Sequence, residues 1–145
     1  MKTKFINAYM KAAETFAELS SARRRQVGAI VVKDDRIISI GYNGTPPGWD
    51  NNCEDEIKWP NGVIQHLITK PEVIHAEMNA LGKLAQSNES GEGAMMFITC
   101  QPCFECSKLI ATAGIKNVFY KEEYRDDSGV KFLEKCGVEV IQIKG

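Results

Sequence analysis

Two short clusters carry the side chains best suited to chemistry: His75-Ala76-Glu77, and Pro102-Cys103-Phe104-Glu105-Cys106. Together they offer one imidazole and two thiols. A catalytic zinc takes three protein ligands and leaves a fourth position for water. Cys103 and Cys106 lie three residues apart, so in the first turn of a helix both side chains fall on one face. The free N–H groups and the positive dipole end of that turn favour thiolate over thiol. Pro102 sets the entry into the turn without losing a donor. His75 opens a second helix, and if the two helix tips face each other across adjacent strand ends, the three ligands meet at one ion. Glu77, two residues after His75, does not share its helix face. It is therefore expected beside the open coordination position, not on the metal. There a carboxylate can take a proton from a water whose pKa zinc lowers to about 7, and pass it on.

Each cluster alone is less specific. A Cys-x-x-Cys pair also serves structural zinc knuckles and redox sites, and a His-x-Glu pair also occurs on a solvated helix face. A purely structural zinc would want a fourth ligand. Cys100 is close in sequence, but it ends a strand and reads as a core thiol, as does Cys136. The five cysteines, Cys53 included, are an odd count for a disulfide framework and suit a reducing compartment.

The elements that must position these groups follow from periodicity. Apolar Phe5, Ala8, Ala12, Phe16 and Leu19 recur at helical spacing and predict an amphipathic first helix. Val27 to Val32 and Arg36 to Tyr42 read as strands, with a turn at Lys33, Asp34 and Asp35 between them. Residues 43–73, rich in Gly, Pro and Asn, read as one long loop of functional type. Then come a helix over Ile74–Leu84, a strand over Met95–Thr99, and a helix over Cys103–Ala113 ended by Gly114. A strand over Val118–Tyr120, a helix over Ser128–Cys136 and a strand over Val138–Ile143 complete the series. A hairpin followed by alternating helices and strands predicts an α/β mixed sheet covered by helices on both faces. No repeat or linker interrupts residues 1–145, which read as a single domain.

Composition narrows the partners. With 43% hydrophobic and 26% charged residues the chain is an ordinary globular one, and its net charge of −1 argues against a broad basic surface for long nucleic acid. A small anion needs only one or two well-placed cations. The opening residues mix Lys, Glu and Asn with apolar ones, and no run approaches the about 18 apolar residues of a membrane span. A cytoplasmic location is the expectation.

His-x-Glu followed by Pro-Cys-x-x-Cys is the signature of zinc deaminases. With Gln26-Val27-Gly28-Ala29, Gly41-Tyr42-Asn43-Gly44-Thr45-Pro46 and Gln101 before the second cluster, nearly the whole chain resembles the cytidine deaminase-like superfamily. Within it, the Gly-Tyr-Asn-Gly segment and the insertion before His75 resemble the deoxycytidylate deaminases. The resemblance implies a three-layer α/β/α sandwich on a five-stranded mixed sheet. It implies one zinc held by His75, Cys103 and Cys106, and hydrolysis of dCMP to dUMP and ammonia, with Glu77 as the proton carrier. It further implies that the Ala76 amide and the Gln101 carbonyl hold the ring, that Asn43 holds the deoxyribose, and that Tyr124 and Arg125 shape the pocket. A monophosphate also needs cations, for which Ser21 and Arg24 in the segment before the first strand are candidates. Of the run Arg23-Arg24-Arg25, one or two are expected to meet phosphate. Many relatives are homohexamers activated by dCTP with Mg2+ and inhibited by dTTP, and Gly41, Tyr42, Gly44 and Asp50 are the corresponding effector candidates. Some relatives hold a second, structural zinc. Here Ala22 stands where they have a cysteine, and Cys53 and His66 are too few for a closed site, so one zinc per chain is expected. The rival readings are a tRNA adenosine deaminase, a free cytidine deaminase and a zinc-stabilised binding module without catalysis.

Overall fold

The computed structural model describes residues 1–144. Helix α1 (Thr3–Ala17) is followed by strands β1 (Gly28–Lys33), β2 (Arg36–Tyr42), β3 (Glu54–Lys58) and β4 (Ile64–Thr69). Helix α2 (Ala76–Ala85), β5 (Met95–Cys100), α3 (Phe104–Thr112), β6 (Asn117–Glu122), α4 (Ser128–Lys135) and β7 (Glu139–Gln142) complete the chain. Five strands form one mixed sheet in the order β2-β1-β5-β6-β7, antiparallel on its first half and parallel from β5 to β7. Among the described residues no helix is long and apolar enough to cross a membrane.

Strict alternation along the central strands makes the layers. Ala29 and Val31 of β1, with Met96 and Ile98 of β5, face one core shared with α2, α3 and α4. Ile30 and Val32, with Phe97 and Phe119, face the other core, covered by α1. There Phe97 stacks on Phe119 with centroids 4.6 Å apart, and Tyr9 tilts against Phe97 at 5.4 Å. The β1–β2 turn is made by Asp34 and Asp35, both at positive φ (51° and 60°), the two-residue form whose twist suits a hairpin.

The buried stripe of α1 is rotated from the expected one. Met10, Ala13 and Ala17 are buried, whereas Phe5, Ala8 and Leu19 are exposed. The reason is a close crossing over β1: a Cβ on Gly28 would overlap the Ala13 carbonyl oxygen, so only small residues fit there. Cys136 is exposed rather than core, since it caps α4 just before Gly137 turns the chain at φ 87°.

The larger departure lies in residues 43–73. This segment holds a separate two-stranded sheet, β3 paired with β4 from Glu54↔Thr69 to Lys58↔Ile64. Its turn contains Gly62 at φ 88°, and Lys70 N–H donates to the Cys53 carbonyl at 2.8 Å to close the base. Strand β3 reads Glu-Asp-Glu-Ile-Lys, so alternation of apolar residues never announces it.

Helix α2 is locked over the sheet by another glycine. A Cβ on Gly41 would lie 2.5 Å from the Ala76 carbonyl oxygen and 2.6 Å from the Ala80 nitrogen, both backbone atoms that cannot yield without moving the helix. Gly41→Ala should therefore lower stability by at least about 1–3 kcal/mol, as overpacking does, and reduce metal retention because α2 begins just after His75. Thermal unfolding and metal analysis check this; an unchanged midpoint would contradict it.

Candidate active site

His75, Glu77, Cys103 and Gln101 gather at one end of the main sheet. Strand β5 ends at Cys100, and β1, antiparallel to it, begins there with Gly28. The segments after β2, after β5 and after β6 emerge at the same end. This is where open α/β sheets place their ligands.

His75 and Cys103 occupy equivalent positions, the N-caps of α2 and α3, both with extended backbone (φ −69°, ψ 154° and φ −76°, ψ 170°). An N-cap side chain usually accepts from its own helix, but neither of these caps anything. Their side chains turn toward each other instead. His75 Nδ1 lies 3.2 Å from Cys106 Sγ and 3.6 Å from Cys103 Sγ. Gly129 lets α4 press on the start of α3: a Cβ there would lie 2.7 Å from Ser107 Oγ and would overlap the Pro102 carbonyl. Ser107 in turn donates to the Cys103 carbonyl at 2.8 Å.

The three donor atoms lie within 4.8 Å of one another and form the single such cluster among the described residues. Nitrogen and sulfur at their usual zinc distances around a tetrahedral centre stand about 3.5 Å apart, which the observed spacings match. Their chemistry fits as well. The Cys103 thiol is pulled down to about 4, first by the hydrogen bond from Cys106, while Cys106 is pushed well above the ordinary range by the same bond and by burial. His75 is raised, chiefly by its bond to Cys103. The sulfurs thus hold one proton between them, and a divalent cation would displace it.

Glu77 stands outside this donor group and is 5% exposed. Burial is the main cause that pushes its carboxyl up to about 7. It lines a cavity of about 710 Å³ together with His75, Ala76, Cys103 and Gln101. Ala76, in the first turn of α2, offers an N–H with no partner within the helix.

Of the other expected site residues, Asn43, Arg24, Tyr124 and Arg125 also line this cavity. Asn43 is already engaged: Oδ1 accepts from the Val27 amide and Nδ2 donates to the Arg25 carbonyl, both at 2.8 Å. Ser21 lies elsewhere, its Oγ donating to the Asn51 carbonyl at 2.9 Å. Gly41, Tyr42, Gly44 and Asp50 do not reach the cavity wall. Gly41 touches α2; Gly44 pairs with Ile74, anchoring the residue before His75; and the Asp50 carboxylate accepts from the Asn52 amide at 2.7 Å.

Four features escaped sequence reasoning. Arg25, one of the three arginines weighed for phosphate, lines the cavity, but its bond to Cys100 Sγ at 2.9 Å was unforeseen. Cys100, read as a plain core thiol, lines the same cavity, and burial raises its thiol. The Gln101 side chain staples the segment after β6, accepting from the Tyr124 amide at 3.1 Å and donating to the Asp126 carbonyl at 3.4 Å. Glu54, 1% exposed, also borders the cavity. Beforehand it fell only within residues 43–73, read as one long loop.

Residues 3–122 match the family model described as the cytidine and deoxycytidylate deaminase zinc-binding region. The chain belongs to that family. This deaminase is similar to the dCMP deaminase of cyanophage S-TIM5, whose crystal structure in complex with dCMP and dUMP superposes with a TM-score of 0.87 at 46% identity, over 99% of each chain. It is 36% identical to the ComE operon protein 2 of Bacillus subtilis, over 94% of this chain and 69% of that one. It is equally 36% identical to the deoxycytidylate deaminase of Homo sapiens, over 92% of this chain and 82% of that one.

The buried Glu77 makes a pH prediction for metal-free protein. The folded state keeps the Glu77 proton up to about pH 7, whereas an unperturbed carboxyl loses it near 4.5. Its contribution to stability is therefore full at low pH and is lost as pH rises from 4.5 through 7, by at most about 3 kcal/mol. Glu77→Gln abolishes that loss. In chelator, denaturant unfolding should show the variant's advantage over wild type widening between pH 4.5 and 7.5; a constant gap would contradict a buried, proton-holding Glu77.

Proposed function

We propose that this deaminase converts deoxycytidine monophosphate and water into deoxyuridine monophosphate and ammonia. The observation that carries the reading is the pairing, in one cavity, of the deaminase constellation with arginines whose charge is free. Among the described residues, neither Arg24, Arg25 nor Arg125 has a carboxylate within ion-pair distance. Arg23, by contrast, is spent on Glu54 and Glu56 at 3.6 and 3.0 Å. A phosphate dianion at one end of a pyrimidine nucleotide answers that free charge. The names of the cyanophage and human relatives support the same substrate.

His75, Cys103 and Cys106 would hold zinc, which would supply a Lewis acid able to lower the pKa of water toward neutral. The remaining work falls to the protein. Glu77 receives the water's proton, delivers one to ring N3 and then serves the departing amine. Its carboxyl is buried beside the ligand cluster and faces the cavity, which places it to accept and return a proton. The free Ala76 N–H holds the ring oxygen, and the Gln101 carbonyl accepts from the exocyclic amine. Asn43 retains one Nδ2 hydrogen for the deoxyribose hydroxyl while its other bonds keep the wall rigid. Tyr124, 49% exposed, and Arg125 close the rim. A tRNA adenosine deaminase would have to seat folded RNA against a rim that also carries Glu123 and Asp126, and a free-nucleoside enzyme would have no use for the arginines.

Ammonia release should be measured with zinc-loaded protein on dCMP, deoxycytidine, CMP and adenosine-containing RNA. The expected order puts dCMP first, with deoxycytidine at least tenfold lower in kcat/KM. Turnover of RNA or nucleoside alone would overturn the assignment. Glu77→Gln should keep its zinc yet lose about 10²–10⁴ in kcat.

The reading extends to effector control through Gly41, Tyr42, Gly44 and Asp50. This stretch runs from the α2 contact of Gly41 through Asn43 to the bridge before His75, so a ligand on it biases both helix and cavity. Adding dCTP with Mg2+ should lower the half-saturating dCMP concentration, and dTTP should raise it, in the same assay; indifference to both would remove the extension.

A further inference from the structure

The arginine segment before β1 has no regular structure, so something else must decide where its guanidinium groups go. Glu54, the first residue of β3, is the buried group that reaches it. Oε2 of Glu54 accepts the backbone amides of Arg23 at 2.9 Å and Arg24 at 3.1 Å. Across the hairpin Glu54 pairs with Thr69, and Thr69 Oγ1 accepts from Arg24 Nη1 at 3.1 Å. The base of the β3–β4 hairpin therefore grips Arg24 twice, at its amide and at its guanidinium. The same carboxylate draws the neighbouring side chain the other way: Arg23 Nε faces Oε1, and its Nη1 is bonded to Glu56. Oε1 has no hydrogen bond of its own and is buried.

We infer that Glu54 is a positioning residue for nucleotide binding: by fixing two successive amides it parts Arg23 from Arg24 and aims Arg24 into the cavity. The inference rests on the reading of Arg24 as a phosphate contact. Two successive N–H groups around one carboxylate oxygen are a strong, charge-assisted fixture in a site closed to water. Without it the segment keeps its bonds from Ser20 and Asn43 at either end, namely Ser20 Oγ to the Asn43 carbonyl, Gln26 Nε2 to the Ser20 carbonyl and Asn43 Nδ2 to the Arg25 carbonyl. Only the middle, which bears Arg23 and Arg24, is released. The metal cluster and Glu77 stand on other elements and need nothing from Glu54.

The test is a double-mutant cycle on zinc-loaded protein with dCMP. Arg24→Ala should raise KM at least tenfold with kcat within threefold. Glu54→Ala should do the same, and adding it to Arg24→Ala should raise KM less than threefold further, because both act through one contact. Glu54→Gln keeps an oxygen for the two amides and a similar shape, so it folds where Ala fails, and it should recover most of the lost affinity. A multiplicative effect of the two Ala changes, a fall in kcat with KM unchanged, or a Gln variant as impaired as Ala would overturn the role of Glu54. An unchanged KM for Arg24→Ala would instead overturn the phosphate reading itself.

Discussion

Every feature of the site depends on two helix tips being held close enough for their first residues to touch. Helices α2 and α3 leave the same end of the sheet, and the 3.2 Å between His75 Nδ1 and Cys106 Sγ tolerates little drift in either. What prevents drift is backbone contact with no side chain between: Gly41 under α2 and Gly129 against the start of α3. A Cβ at either position would press on backbone atoms of the helix start, which could make room only by moving. In consequence both N-caps surrender their ordinary capping role, which leaves helix amides open beside the ligand cluster.

Burial divides the carboxylates and thiols into groups with different duties. Glu77 is sealed against the cluster and holds a proton near neutral pH, whereas Glu123 and Asp126 stand on the open rim. Cys103 and Cys106 share one proton because a second negative sulfur so close would cost too much without a cation. Cys100, three residues earlier, lies on the same cavity wall, yet it takes a different partner, the guanidinium of Arg25. Three thiols within seven residues thus have three environments, set by whether each sits on a helix cap, in the first turn or at a strand end.

How much could be read from the sequence follows the same division. The helices and strands after residue 73 were legible because their apolar residues recur with period two or 3.6, and their observed ends lie within two residues of the expected ones. The cluster of His75, Cys103 and Cys106 was legible because metal chemistry constrains both residue type and spacing. The stripe of α1 was misplaced since Phe5 and Leu19 mark hydrophobicity, while the true face was chosen by smallness, Ala13 and Ala17 beneath Gly28. The β3–β4 hairpin was invisible for a related reason. Its strands bury little, so no apolar alternation was required, and its charged residues look like a solvated loop. Contacts made by one side chain to a distant backbone, such as Gln101 to Tyr124 or Glu54 to Arg23 and Arg24, leave no periodic trace at all.

That last class bears on net charge as a guide to partners. A total of −1 speaks against a broad basic surface, yet it says nothing about how opposite charges are shared out. Here 18 basic residues meet 19 acidic ones, and most ion pairs lie on the exterior, as with Lys108–Glu105 and Lys131–Asp127. Exterior pairs contribute little to stability, but each removes a charge from competition for a ligand. Arg23 is neutralised by Glu54 and Glu56 while its neighbour Arg24 meets only a threonine hydroxyl. Neighbouring residues of identical type thus meet opposite surroundings through a hairpin that starts thirty residues later. Such contacts decide which arginines the fold leaves without a carboxylate, and the overall composition has no bearing on that choice.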